Sequence, residues 1–190
     1  MTVLLYVDER FAGHDTGPHH PERPERLAAV DAGLRRHGLL EGLELAEPRL
    51  ATDEELELVH PPAHVQRIGM LSRTGGGRLD PDTAVSRGSD EAARLAVGAA
   101  LDAVDRLSAG DAEAAFLAVR PPGHHATATR AMGFCLYNTI AIAAARLAAA
   151  GERVLVVDVD AHHGNGTQDI FYEREDVAYV SWHQDPLYPG

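Results

Sequence analysis

Two kinds of apolar run alternate along the chain. Short unbroken stretches, Val3 to Val7, Ala114 to Val119, Val154 to Val157 and Val177 to Ser181, read as buried strands. Longer stretches carry apolar residues at helical spacing. Arg26 to His37 holds Leu27, Ala28, Val30 and Leu34 and stops at Gly38. Thr52 is placed to cap a helix opening on Asp-Glu-Glu-Leu, Pro61-Pro62 interrupts, and a second short helix runs to Leu71. Ser89 to Ser108 sets Leu95, Ala99 and Val104 on one side, Cys135 to Ala150 is an alanine-rich helix ended by Gly151, and Thr167 to Tyr172 is a short helix. Residues 8–23 and 72–90, rich in Gly, Pro, His, Asp and Ser, read as loops. From residue 114 the order strand, helix, strand implies an α/β fold: an open, mostly parallel sheet flanked by helices. No internal repeat or linker divides the chain, so one domain over residues 1–190 is expected.

Composition narrows the class. Hydrophobic residues make up 45% and charged residues 24%, which suits a packed globular domain. No apolar run reaches the roughly 18 residues of a membrane span, and the longest candidate, Thr139 to Ala150, is broken by Arg146. The net charge of −12 disfavours non-specific binding to nucleic acid, which depends on neutralising phosphates, and permits cationic partners. A single cysteine, Cys135, excludes an internal disulfide, and the first residues lack the basic and apolar regions of a signal peptide. A cytoplasmic protein is expected; its oligomeric state is not legible.

The chemistry concentrates in two places. In a strand, alternate side chains share a face, so Asp158, Asp160 and His162 are expected to project together from the carboxyl end of the third apolar run. Two carboxylates and an imidazole make a poor core and a good site for zinc or a similar divalent ion. Asp160 and His162 are the two best donors. Asp158 serves a second cation or orients a histidine, and Asp185 or His183 is a local substitute for a third ligand. The second place is Arg120-Pro-Pro-Gly-His124-His125, where a rigid turn after a strand presents two imidazoles. They suit proton transfer to and from metal-bound water, with Asp158 holding one ring and Asn165 the other. His19-His20 reads equally well as loop polar residues; His14, His37, His60 and His64 read as ordinary residues.

These segments, in this order, resemble the histone deacetylase superfamily, which also contains acetylpolyamine amidohydrolases and acetoin-utilisation proteins. The matching pieces are His19 to Leu27, Asp80 to Ser86, Arg120 to Ala126, Gly133 to Asn138, Asp158 to Gln168 and Ser181 to Gly190. Asn165 and the Gly-Thr-Gln after it look like the class II and bacterial branch, and the Ala, Arg and Glu usage resembles a bacterial product of high-GC DNA. The resemblance implies a zinc-dependent hydrolase that removes acetyl or similar acyl groups from lysine, polyamine or small acyl-amines. It implies Asp160 and His162 as zinc ligands, His125 as general base and acid with His124 as its electrostatic companion, and Asp158 with Ser181 at a potassium site. It also implies Phe134 with Leu187 or Tyr188 as tunnel walls, the Gly133 carbonyl as acceptor for the substrate amide, and Arg26 in an acetate channel. The family's third zinc ligand, an Asp, and its Gly-Gly-Tyr segment are not in this sequence, which stops at Tyr-Pro-Gly. The expectation is therefore a portion of a longer protein, weakly active or inactive alone, or an acyl-amine binding protein. A binuclear ureohydrolase is a third reading: Asp160-Ala-His-His begins like that family's metal motif, but Gly164 replaces its final Asp.

Overall fold

Strand β1 (Val3–Tyr6) forms at the first apolar run, with Leu4, Leu5 and Tyr6 buried. The computed structural model describes residues 2–190; Met1, part of the expected domain, lies outside the described residues. Helix α1 (Glu25–Arg36) follows the first loop and buries no residue fully. Strand β2 (Leu43–Ala46) was not anticipated, because its Leu-Glu-Leu-Ala is too short to register as a period. Helix α2 (Asp53–Leu56) has the full reciprocal cap: the Thr52 side chain accepts from the Glu55 N–H and the Glu55 carboxylate from that of Thr52. Helix α3 (Pro62–Arg73) starts at the second proline, where a missing N–H costs nothing. The loop expected over 72–90 holds a small antiparallel hairpin, β3 (Gly77–Arg78) and β4 (Ala84–Val85).

Helix α4 (Ser89–Ala109) is the core of the molecule. Leu95, Val97 and Leu101 are buried within it, each such side chain stabilising the fold by about 2 kcal/mol. Strand β5 (Ala114–Leu117) pairs in parallel with β1. Helix α5 (Thr139–Ala149) begins four residues later than expected because the Asn138 side chain accepts the Ala141 N–H and fixes the start there. Strand β6 (Val154–Asp158), helix α6 (Asn165–Phe171) and strand β7 (Val177–Ser181) complete the order, β6 and β7 being parallel with Asp158 opposite Ser181.

The α/β class and parallel pairing are as expected, but the sheet is not continuous. Among the described residues the parallel strands form two pieces, β2-β1-β5 and β6-β7. Between them lies a hollow of about 650 Å³, lined by Leu117, Val119, Ile140 and Val156 to Asp160. The facing edges of β5 and β6 are both unpaired, and Val157 and Val159 are 52% and 77% exposed. The carboxyl ends of β5 and β6 nevertheless open on the same side, where the histidine pair and the acidic turn meet.

Candidate active site

The turn after β6 is built by its own aspartates. The strand stops at Asp158, earlier than a continuous alternation would place it. The Asp160 N–H donates to Asp158 Oδ1 at 3.1 Å, and the His162 N–H donates to Asp160 Oδ1 at 2.8 Å. Such side-chain turns compete with a strand ladder. Asp160 and His162 thus leave the sheet in consecutive turns, not on strand positions as expected. They still converge: His162 Nδ1 lies 3.1 Å from Asp160 Oδ1. Burial would raise the Asp160 carboxyl, but the His162 N–H and the nearby imidazoles outweigh it and hold the group below its ordinary value.

The histidine pair comes from the other piece of sheet. Arg120, fully buried, ends the segment after β5. Its guanidinium clasps Glu22 through Nε at 2.6 Å and Nη2 at 2.9 Å and donates to the carbonyls of Phe11 and His14. Glu22 is 2% exposed. Burial pushes its carboxyl up, yet the His14 imidazole, 3.4 Å away, and the hydrogen-bonded Arg120 guanidinium prevail and hold it at about 2. This buried pair ties the loop bearing His20 and Pro21 to the loop bearing His124 and His125.

The two imidazoles are gripped differently. His124 Nδ1 donates to Asp158 Oδ2 at 2.9 Å, and the Tyr179 hydroxyl donates to the same oxygen at 3.0 Å. Burial acts to raise Asp158, but these bonds and the Asp160 N–H bring it to about 2. His125 Nδ1 lies 2.9 Å from Asn165 Oδ1, an acceptor, while Asn165 Nδ2 points to Met132 Sδ. The neutral ring therefore carries its proton on Nδ1 and presents a bare Nε2. Burial, reinforced by His124, holds His125 down at about 4.

All four groups line one pocket of about 340 Å³. Its walls include Gly133, Phe134 and Tyr188, whose ring meets that of His125 edge-on at 5.0 Å, and the exposed Arg26 side chain borders it, 3.5 Å from Glu22. Leu187 does not line the pocket: adjacent side chains point apart and Tyr188 takes the place. Asp185 and His183 do not join the acidic turn either. His183 turns to Ser181 Oγ at 3.1 Å and stacks near His163, away from the pocket. Among the described residues no group of three or more His, Cys, Asp or Glu side chains is arranged to hold a metal ion.

Sequence reasoning missed part of the lining. Glu22 and Asp82 face the pocket, and His20, left undecided, packs edge-on against Phe134 at 4.7 Å and bonds to the carbonyls of Glu22 and Asp82. Their signal was present in the His-His-Pro-Glu-Arg and Asp-Pro-Asp-Thr segments. His14, His60 and His64 are buried and His37 is exposed.

Known proteins share this chain's sequence pattern and fold. The Histone deacetylase domain matches residues 20–190. The chain belongs to the histone deacetylase family. It is 41% identical to a histone deacetylase-like amidohydrolase of Pseudomonas aeruginosa, over 98% of this chain and 54% of that protein. It is 42% identical to a probable deacetylase of Archaeoglobus fulgidus, over the whole of this chain and 54% of that protein. Among solved structures, the HDA15 HD domain superposes on the whole chain with a TM-score of 0.94 at 40% identity, and the match covers 56% of that structure. The chain thus spans about half the length of these relatives.

Proposed function

We propose that this pocket is part of the hydrolytic site of a zinc-dependent deacylase that releases acetyl or similar acyl groups from lysine, polyamine or other small acyl-amines. The observation that carries the reading is the meeting, in one pocket, of a bare imidazole nitrogen on His125 with the carboxylate–imidazole pair Asp160 and His162.

The donor chemistry fits zinc: an anionic oxygen and a neutral nitrogen, side by side at the pocket wall, are its ordinary ligand types. Asp160 and His162 would hold the ion. Bound there, zinc would polarise the acyl carbonyl and acidify a water. The remaining work falls to the chain. Tyr188 and Phe134 flank the acyl chain, and the Gly133 carbonyl accepts the amide N–H. His125 takes a proton from water at Nε2, Asn165 keeping the opposite nitrogen protonated, and returns it to the departing amine. His124, fixed by Asp158, adds a stationary hydrogen-bonded imidazole beside it. Arg26 would meet the released carboxylate. Asp158 and Ser181, cross-strand neighbours with oxygen donors, would suit a potassium ion. The single buried unbridged cysteine supports a cytoplasmic setting. No helix among the described residues is long and apolar enough to cross a membrane.

Two pocket donors for zinc also fit a protein that holds acyl-amines without cleaving them. The test is hydrolysis of N-acetyl-lysine and N-acetylpolyamine amides, with zinc, by the chain alone and by the chain joined to the portion of the Pseudomonas aeruginosa relative outside the match. Turnover by the joined protein supports the deacylase. Binding without turnover in both supports the binding protein.

A further inference from the structure

All 17 basic residues of this acidic chain are arginine. Most of them face a carboxylate, as Arg49 faces Glu55, Arg94 faces Asp53 and Asp90, and Arg146 faces Asp105. Several do not, Arg67 on α3 and Arg130 on the loop before Gly133 among them: neither has a carboxylate oxygen within 4.0 Å among the described residues. Both are exposed, and both line the same hollow of about 180 Å³ with His64, Ile68, Leu79 and Ala131. What sets these two apart is that their guanidiniums share one small cleft with no counter-charge in its lining.

The neighbouring acids are occupied elsewhere. Asp80 accepts the N–H groups of Asp82 and Thr83 at 3.1 and 2.7 Å, and Asp82 accepts the Thr83 hydroxyl at 3.2 Å. His64 Nε2 is committed to the Leu136 carbonyl, and burial, helped by Arg67, disfavours its protonation, so the cleft's positive charge is that of the two arginines. The cleft also adjoins the pocket. Residues 79–82 and 130–134 wall both: Leu79, Arg130 and Ala131 on one side, Asp82, Gly133 and Phe134 on the other.

We propose that Arg67 and Arg130 form an anion site beside the pocket mouth, which takes a carboxylate or phosphate group carried by the substrate next to its acylated amine. Guanidiniums bind such oxyanions through paired, charge-assisted hydrogen bonds, and the hollow is large enough to admit such a group. The substrate class rests on the deacylase reading of the adjoining pocket; the anion site does not.

The experiment has two arms on the 190-residue chain. Inorganic phosphate is titrated at constant ionic strength against chloride and followed by calorimetry. Saturable binding is expected, weakened at least tenfold in the Arg67→Gln/Arg130→Gln double variant with an unchanged melting temperature. Separately, an acetyl-lysine peptide with an adjacent Glu is compared with its Gln counterpart. The Glu peptide should bind at least fivefold tighter, and the double variant should abolish the difference. Phosphate affinity equal in the two proteins would overturn the site, and equal binding of the two peptides would overturn its role in substrate choice. Arginine-dependent phosphate binding with no binding of either peptide would leave the anion site standing and overturn its role in substrate choice; the deacylase reading is decided separately by turnover of the joined protein.

Discussion

His124 Nδ1 donates to Asp158 Oδ2 at 2.9 Å, and this bond joins the two separated pieces of parallel sheet at the floor of the pocket. The imidazole belongs to the loop after β5 and the carboxylate to the end of β6. No strand pairing connects those elements among the described residues, so this bond shares the alignment with the Thr167 N–H, which donates to the His124 carbonyl at 3.1 Å. A second such tie, Arg120 to Glu22, fixes the opposite wall. The site is thus assembled from loops held by a few buried polar bonds, each of which is open to test.

Gly133 sits at φ +56°, and a Cβ there would come within 2.5 Å of His125 Cδ2. Gly133→Ala adds about 1 kcal/mol of left-handed strain and pushes the imidazole off Asn165. Acyl-amide turnover by the joined protein should fall more than tenfold while the melting temperature drops by only a few degrees. Retained turnover would separate the His125 position from the reaction.

The Glu22 carboxyl titrates at about 2 in the fold against an ordinary 4.5. A lowered acid stabilises the fold above its unfolded value and loses that contribution as pH falls through the folded one. Up to about 3 kcal/mol should therefore be present above pH 4.5 and vanish between 4.5 and 2. Denaturant titrations of the chain and of Glu22→Gln across that range measure it. At neutral pH the variant should be less stable by about 3–5 kcal/mol, because Arg120 is left buried without its partner; parallel pH dependences in the two proteins would remove the pair from the account.

Asp160→Asn exchanges an anionic donor for a neutral one. Zinc affinity, measured by competition with a chelating dye, should weaken by more than the roughly 10–100-fold that loss of an outer partner costs. Equal affinity would take Asp160 out of the ligand set.

Val157 is half exposed on the open edge of β6. Unpaired apolar edges recruit other chains, and a charge there discourages it. Val157→Lys should lower light scattering on concentration, with stability changed by no more than about 0.5 kcal/mol. Unchanged scattering would show that this edge does not recruit other chains.

The residue types at the site were legible because few alternatives explain them: Asp158, Asp160 and His162 in close spacing, and two histidines behind Pro-Pro-Gly, have no use in a core. The parallel α/β class followed from apolar runs such as Val154 to Val157. What escaped was set by contacts far apart in sequence. The alternation that placed Asp160 and His162 on a strand ignored the capacity of aspartate side chains to bond the N–H two residues on, which ends β6 at Asp158. Choosing between Leu187 and Tyr188 required the turn that aims one of them inward. Nothing next to Glu22 in the sequence marks it as the partner of Arg120, which lies far along the chain. The break between β5 and β6 left no mark in either strand's own pattern.

Hydrolysis of N-acetyl-lysine amide by the zinc-loaded joined protein, compared with its His125→Ala variant, tests whether His125 moves the proton. Turnover should fall by about 10²- to 10⁴-fold in the variant with zinc still bound. Undiminished turnover would contradict that role, because the imidazole held by Asn165 would then not be the group that moves the proton.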